Sequence, residues 1–169
     1  FALAPDTSPN LHGILNTIDD PASIGDLCDL PTLKSVVDKA SPEVVIHMAA
    51  QAVVRRSYDD PIETFSTNMM GTVNLFEALR GSPALKAVLV ITSDKVYEND
   101  NAGNLFKEHD HMGGSDPYSA SKGCQDIIAH SYRRSFFEAQ GVAVATARAG
   151  NVVGGGDWSP DRLLKDVET

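Results

Sequence analysis

Five residues of this sequence have types and spacing suited to moving protons on a hydroxylated substrate. Ser93, Asp94 and Lys95 lie together in "VLVITSDKVYEN" (89–100), and Tyr118 and Lys122 lie in "DPYSASKGC" (116–124). Tyr118 and Lys122 are four apart, so on a helix they share one face, a turn apart. A tyrosine, with an ordinary pKa of about 10, acts as a base at neutral pH only if cations stabilise its phenolate, and Lys122 supplies one. The Ser93 hydroxyl then holds a substrate alcohol. The spacing alone is common, and the alternative is a solvated helix pair. Asp94 and Lys95 are open in the same way, since two neighbouring charges at a strand end can form a solvated ion pair worth little.

These residues need elements to position them. "EVVIHMAA" (43–50) and "KAVLVITS" (86–93) are apolar, β-branched runs, and "VAVATARAGNVV" (142–153) is a third strand. The first two patterns suit strands buried on both faces of a parallel sheet. Helices are expected over 31–40, behind Pro31, from Asp60 to Gly81, and over 116–141, with Pro117 in the first turn and Gly141 past the end. Alternating strands and crossover helices make an α/β fold with right-handed connections. Ligands in such sheets sit beyond the carboxyl ends of the strands, which gathers "HMAAQA", "TSDKVYEN" and "RAGNVVGGGDW" into one site. Consecutive residues of an extended strand point to opposite faces, so Asp94 and Lys95 enter one pocket only if the strand ends by about Ser93.

The 169 residues and their 42% hydrophobic content fit one core. A net charge of −9 argues against a nucleic-acid partner. No apolar run reaches the length of a membrane span, and no signal peptide opens the chain, so a cytoplasmic protein is expected. Cys28 and Cys124 suit neither a disulfide framework nor a zinc site, and no metal is expected. The opening "FALAPDTSPN" reads as a strand end running into a Pro-rich loop, as in a fragment.

In several motifs, in order along nearly the whole chain, the sequence resembles the extended short-chain dehydrogenase/reductases. "GDLCD" (25–29) looks like the segment that reaches the adenine, "HMAAQA" like the cofactor-side loop, and "STNMMGT" (66–72) like the helix with a structural asparagine, Asn68. Ser93, Tyr118 and Lys122 match the catalytic trio. The acidic residue directly after the strand-end hydroxyl is similar to the nucleotide-sugar 4,6-dehydratases. Lys95 in "TSDK-x-YEN", with "GG-x-DPYSASKGC" and "RAGNVVGGGDW-x-x-DRL", is similar to the branch that acts on CDP-glucose.

The resemblance implies a partial Rossmann-like doubly wound parallel sheet. Residues 1–150 would form part of an NAD-binding domain, and residues 151–169 the start of the sugar-nucleotide-binding region. It implies NAD as cofactor, contacted by Asp26, Leu27, Met48, Ala49, Ala50, Asn68, Tyr118 and Lys122. The substrate, a nucleotide-diphosphate sugar, would be contacted by Gln51, Arg148, Asn151 and Arg162. The implied reaction oxidises C4, removes water across C5 and C6, and returns hydride to C6. Tyr118 is then the base for the 4-hydroxyl, Asp94 the proton donor to the departing C6 hydroxyl, and Lys95 the C5 base or a cation for the enolate. A homo-oligomer, dimer or tetramer, is also implied. Two other readings fit the residues: a nucleotide-sugar 4-epimerase, which has no task for Asp94 and Lys95, and a non-catalytic nucleotide sensor. Arg148 and Arg162 suit either a phosphate or a structural salt bridge. His47, on a buried strand, reads as a core histidine.

Overall fold

The protein is described by a computed structural model covering residues 1–15, 24–99, 102–103, 105–159 and 161. Three parallel strands, β1 (Val44–His47), β2 (Ala87–Ile91) and β3 (Ala143–Ala147), form a sheet in the order β1-β2-β3. Val45 pairs with Val88, and Val88 in turn with Val144. Two short helices precede the sheet, α1 (Leu11–Leu15) and α2 (Leu30–Ala40). The β1–β2 crossover holds α3 (Val54–Asp59), α4 (Pro61–Phe65) and α5 (Gly71–Leu79), and the β2–β3 crossover holds α6 (Pro117–Tyr132). The opening residues supply a single parallel bridge, Ala2 to Ile24, in place of a strand end.

Local chemistry sets the helix starts. Asp29, Asp60 and Asp116 each cap a helix by accepting a backbone N–H three residues on, from Thr32, Glu63 and Ser119, with a proline in the first turn. The helix expected from Asp60 to Gly81 is continuous but changes register: α4 and α5 are joined by a π-helical turn, Ser66–Met70. The extra residue of such a turn rotates the helical residues after it, and Asn68 sits within it. α6 runs on through a second π-helical turn, Arg133–Phe137, and a 3-10 turn to Gly141. Gly141 ends it at φ 71°, a left-handed conformation that favours glycine.

One face of the sheet is buried. Val88, Val90 and Val144 pack with Leu75, Phe76 and Leu79 of α5, with Ala129 of α6 and with Phe137, while Leu33 and Val37 of α2 extend the same core. On the opposite face, among the described residues, Val44 and Ile46 of β1 are 61% and 59% exposed, while Ala87, Leu89 and Ile91 of β2 are half-buried. The expectation that β1 is buried on both faces is corrected here. A run of apolar residues reports a sequence able to bury both faces, whereas burial needs a layer on each side, and among the described residues only one side of β1 is covered.

Candidate active site

The carboxyl end of β2 turns where the chemistry requires it. β2 ends at Ile91, and Ser93 caps a 3-10 turn over Asp94–Val96, its hydroxyl oxygen accepting the Lys95 N–H at 3.2 Å. The strand therefore ends before Ser93, as the entry of both Asp94 and Lys95 into one pocket requires. Leaving the extended conformation frees the two side chains from opposite faces. The Ser93 hydroxyl donates to Asp94 Oδ1 at 3.3 Å, and the Asp94 N–H donates to the Ala149 carbonyl at 2.9 Å. The strand-end turns after β2 and β3 thus meet: a Cβ built on Gly150 would lie 3.5 Å from Asp94 Oδ2. Asp94 and Lys95 are exposed and Ser93 is buried.

Opposite them stands the first turn of α6. Gly114 lets it approach, because a Cβ there would collide with the Ser119 carbonyl carbon. Lys122 is buried and donates to the Ile91 carbonyl at 2.9 Å, which ties α6 to the last residue of β2. Burial lowers its pKa from 10.5 to about 8. The Lys95 ammonium lies 6.0 Å from the centre of the half-buried Tyr118 ring. Ser93, Asp94, Lys95, Tyr118 and Lys122 are therefore brought together by a single crossover. A lysine ammonium has three donors, and Ile91 takes one of Lys122's. A buried cation with donors to spare among the described residues suits a ligand rich in hydroxyl groups, such as the ribose of a dinucleotide.

The loop after β1 is held from below. Asn68, fully buried, accepts the Gln51 N–H (2.8 Å) and donates to the Gln51 carbonyl (3.1 Å) and the Ser121 hydroxyl (2.8 Å). One side chain thus fixes the loop to the face of α6 that carries Tyr118 and Lys122. Gln51 is buried too, with its amide spent on Val53 and Thr64. Ahead of it, Met48 is exposed and Ala49 and Ala50 are half-buried. His47 is indeed a satisfied core residue: its Nε2 lies 2.9 Å from the Thr72 hydroxyl, which itself donates to the Asn68 carbonyl. Burial, then the nearby Lys122 charge, lowers the His47 pKa to about 4. Asp26 is exposed and accepts the Cys28 N–H, while Leu27 packs against Gly71 and its carbonyl accepts the Asn74 amide.

Farther along α6, buried Asp126 pairs with half-buried Arg148 at 2.9 Å. Asn151 is exposed in the loop after β3. Arg162 lies outside the described residues. Arg56 is bidentate with Glu63, and Arg55 pairs with Asp161.

The family model described as GDP-mannose 4,6 dehydratase matches residues 16–155. The chain belongs to that family. Among curated relatives, CDP-glucose 4,6-dehydratase of Salmonella typhimurium is 48% identical over 99% of this chain and 48% of its own length. dTDP-glucose 4,6-dehydratase of Streptomyces antibioticus is 34% identical over 84% of this chain and 41% of its own. The chain thus spans about half the length of the curated relatives it matches. Solved structures that share the fold include two with NAD bound. A double mutant of Streptomyces venezuelae dTDP-glucose 4,6-dehydratase, with NAD bound, has a TM-score of 0.73 at 26% identity over 83% of this chain and 41% of its own. UDP-glucose 4-epimerase of Thermus thermophilus, in complex with NAD, has 0.71 at 28% over 81% and 43%. The partial Rossmann α/β fold and the resemblance to short-chain dehydrogenase/reductases are borne out.

This member of the GDP-mannose 4,6 dehydratase family also has site neighbours to which the sequence assigned no role: Asp126, Thr72, Gln125 and Gly114. Gln125 and Asp126 follow Lys122 by three and four residues, a usable helical spacing, but their partners lie on other elements. Gly114 alone left a signal, as half of a Gly-Gly pair just ahead of the Asp116 cap.

Proposed function

We propose that this chain carries the proton-transfer machinery of an NAD-dependent nucleotide-sugar 4,6-dehydratase that converts CDP-D-glucose to CDP-4-keto-6-deoxy-D-glucose. The observation that carries the reading is the attachment of buried Lys122 to the end of β2, which sets Tyr118 beside the Ser93-Asp94-Lys95 turn. Its support for CDP-glucose is the 48% identity to a relative of that name. Residues 1–150 serve the cofactor, through the loop from Met48 to Ala50, Asp26, Leu27, Tyr118 and Lys122, with Asn68 holding that loop. Residues 151–169 begin the sugar-nucleotide region, with Asn151 and Arg162 as the residues that would bind the diphosphate and Gln51 as a further substrate contact.

The buried Ser93 hydroxyl orients the sugar 4-hydroxyl, and Tyr118 takes its proton. Lys122 makes that possible by stabilising the phenolate. NAD, when bound, supplies the two-electron acceptor that makes C4 a ketone and later restores the electrons at C6. A C4 ketone acidifies the C5 proton, which Lys95 removes or whose enolate charge it stabilises. Asp94, entering this step as the neutral acid when Lys95 enters as the neutral amine, gives its proton to the departing C6 hydroxyl, which leaves as water. Both side chains are exposed and so accessible to a sugar.

The test is turnover of CDP-, dTDP-, GDP- and UDP-glucose, followed by the absorbance of the 4-keto product. CDP-glucose is expected to lead, and preference for dTDP-glucose overturns the substrate. Tyr118→Phe is expected to cost about 10² to 10⁴ in rate. Substrate deuterated at C5 separates dehydratase from epimerase, since elimination releases that label to water and 4-epimerisation keeps it.

A further inference from the structure

Asp126 and Arg148 take no part in the proton transfers above, yet they form a densely bonded buried pair beside them. Their side chains are 9% and 14% exposed. The Asp126 carboxylate accepts four hydrogen bonds: from Thr92 at the end of β2 (3.1 Å), from Thr146 of β3 (3.0 Å), and from Arg148 Nε (2.9 Å) and Nη2 (3.1 Å). Burial pushes the Asp126 carboxyl up, but Arg148 and the two hydroxyls outweigh it and hold its pKa below the ordinary value. Arg148 spends two further donors on one loop, Nη1 on the Glu108 carbonyl (2.9 Å) and Nη2 on Met112 Sδ (3.2 Å), and its guanidinium lies 4.9 Å from the Tyr97 ring centre.

That loop is the covalent connection between the Ser93–Lys95 turn and α6. Its base is closed by an antiparallel bridge from Tyr97 to Met112, with Glu98 N–H on the His111 carbonyl (3.0 Å) and Gly113 N–H on the Val96 carbonyl (2.8 Å). Buried ion pairs are poor sources of stability, because apolar replacements of similar size are often as stable. What this pair does that an apolar pair cannot is bind four segments at defined angles: both strand ends, α6 and the loop.

We propose that Asp126 and Arg148 are positioning residues. Together they clasp the base of the 97–112 loop onto α6 and the strand ends, and so hold the Ser93-Asp94-Lys95 turn opposite Tyr118 and Lys122. Arg148 acts through these contacts and does not touch the substrate diphosphate. Four of its five N–H groups are already committed within the fold.

The kinetic part rests on the dehydratase reading, so the experiment also uses a readout independent of activity. Arg148→Met and the apolar double variant Asp126→Leu/Arg148→Met are made in the enzyme expressed from its complete gene. The double variant guards against misfolding, since it leaves no unpaired buried charge. Amide hydrogen exchange at Glu98 and Gly113 is expected to speed about tenfold or more in both variants as the loop base opens. Turnover of nucleotide sugar is expected to fall by about 10- to 100-fold, with KM within about threefold, because misplacement of reacting groups by about an ångström costs that much in kcat. Unchanged exchange at both amides overturns the clasp. So does an Arg148→Met enzyme that keeps its kcat while KM rises about tenfold, the mark of a lost substrate contact. A double variant with full turnover would reduce the pair to a stabilising role. If the parent enzyme turns over no nucleotide sugar, the dehydratase reading fails and the exchange rates still decide the clasp.

Discussion

Lys122→Met should remove activity without the stability loss that deletion of a buried polar residue ordinarily brings. Burial lowers the Lys122 pKa from 10.5 to about 8, and the side chain is 4% exposed. A gap of about 2.5 pH units, at about 1.4 kcal/mol each, means that carrying this ammonium inside costs the fold about 3 kcal/mol at neutral pH. Methionine keeps most of the volume and removes that cost, but it forfeits the hydrogen bond to the Ile91 carbonyl, worth about 1 to 3 kcal/mol. The net expectation is a variant between equal and about 2 kcal/mol more stable at pH 7. The sign reverses with pH. Between about pH 8 and 10.5 the unfolded chain holds a proton on this residue that the folded one has released, so the unmodified protein gains stability as pH rises. Its deficit against the variant should close by about 3 kcal/mol over that window. The assay is urea unfolding of the cofactor-free protein, followed by circular dichroism at several pH values from 7 to 10.5. A variant destabilised by about 2 kcal/mol or more at pH 7, or a difference that does not change with pH, refutes the reasoning.

His47, whose pKa lies near 4 through burial and then the Lys122 charge, should stay neutral well below pH 6.5. Because its folded pKa is the lower one, the protein should lose about 3 kcal/mol as pH falls from about 6.5 to 4, and His47→Gln should flatten that part of the stability profile. Asn68→Ala leaves the Gln51 N–H, the Gln51 carbonyl and the Ser121 hydroxyl without their partner and should cost about 2 to 4 kcal/mol by denaturant unfolding. Gly114→Ala drives a Cβ into the Ala120 nitrogen, well inside van der Waals contact. It should cost about 1 to 3 kcal/mol and lower kcat, because the turn it displaces carries Tyr118; unchanged thermal stability would mean that the loop yields freely.

What the sequence determined by itself is the local part of this protein. An aspartate followed by a first-turn proline marks the starts of α2, α4 and α6, because the cap and the fixed φ of proline act within one turn. The apolar runs of β2 and β3 announce a parallel sheet, the i, i+4 spacing puts Tyr118 and Lys122 on one face, and two consecutive charges after Ser93 require the strand to have ended. Each statement involves residues near one another in the chain, so the periods of helix and strand suffice. The tertiary structure decided everything that depends on a partner far away. Among the described residues it covers one face of β1 and leaves Val44 and Ile46 on the other exposed. It buried Asn68 within a π-helical turn that no local pattern marks. It also gave Arg148, which the sequence left between phosphate and salt bridge, to Asp126, 22 residues earlier. A side chain's donors and charge are visible in the sequence, but which group meets them is set by the packing of α6 on the strand ends, and burial then fixes how strongly each charge is felt.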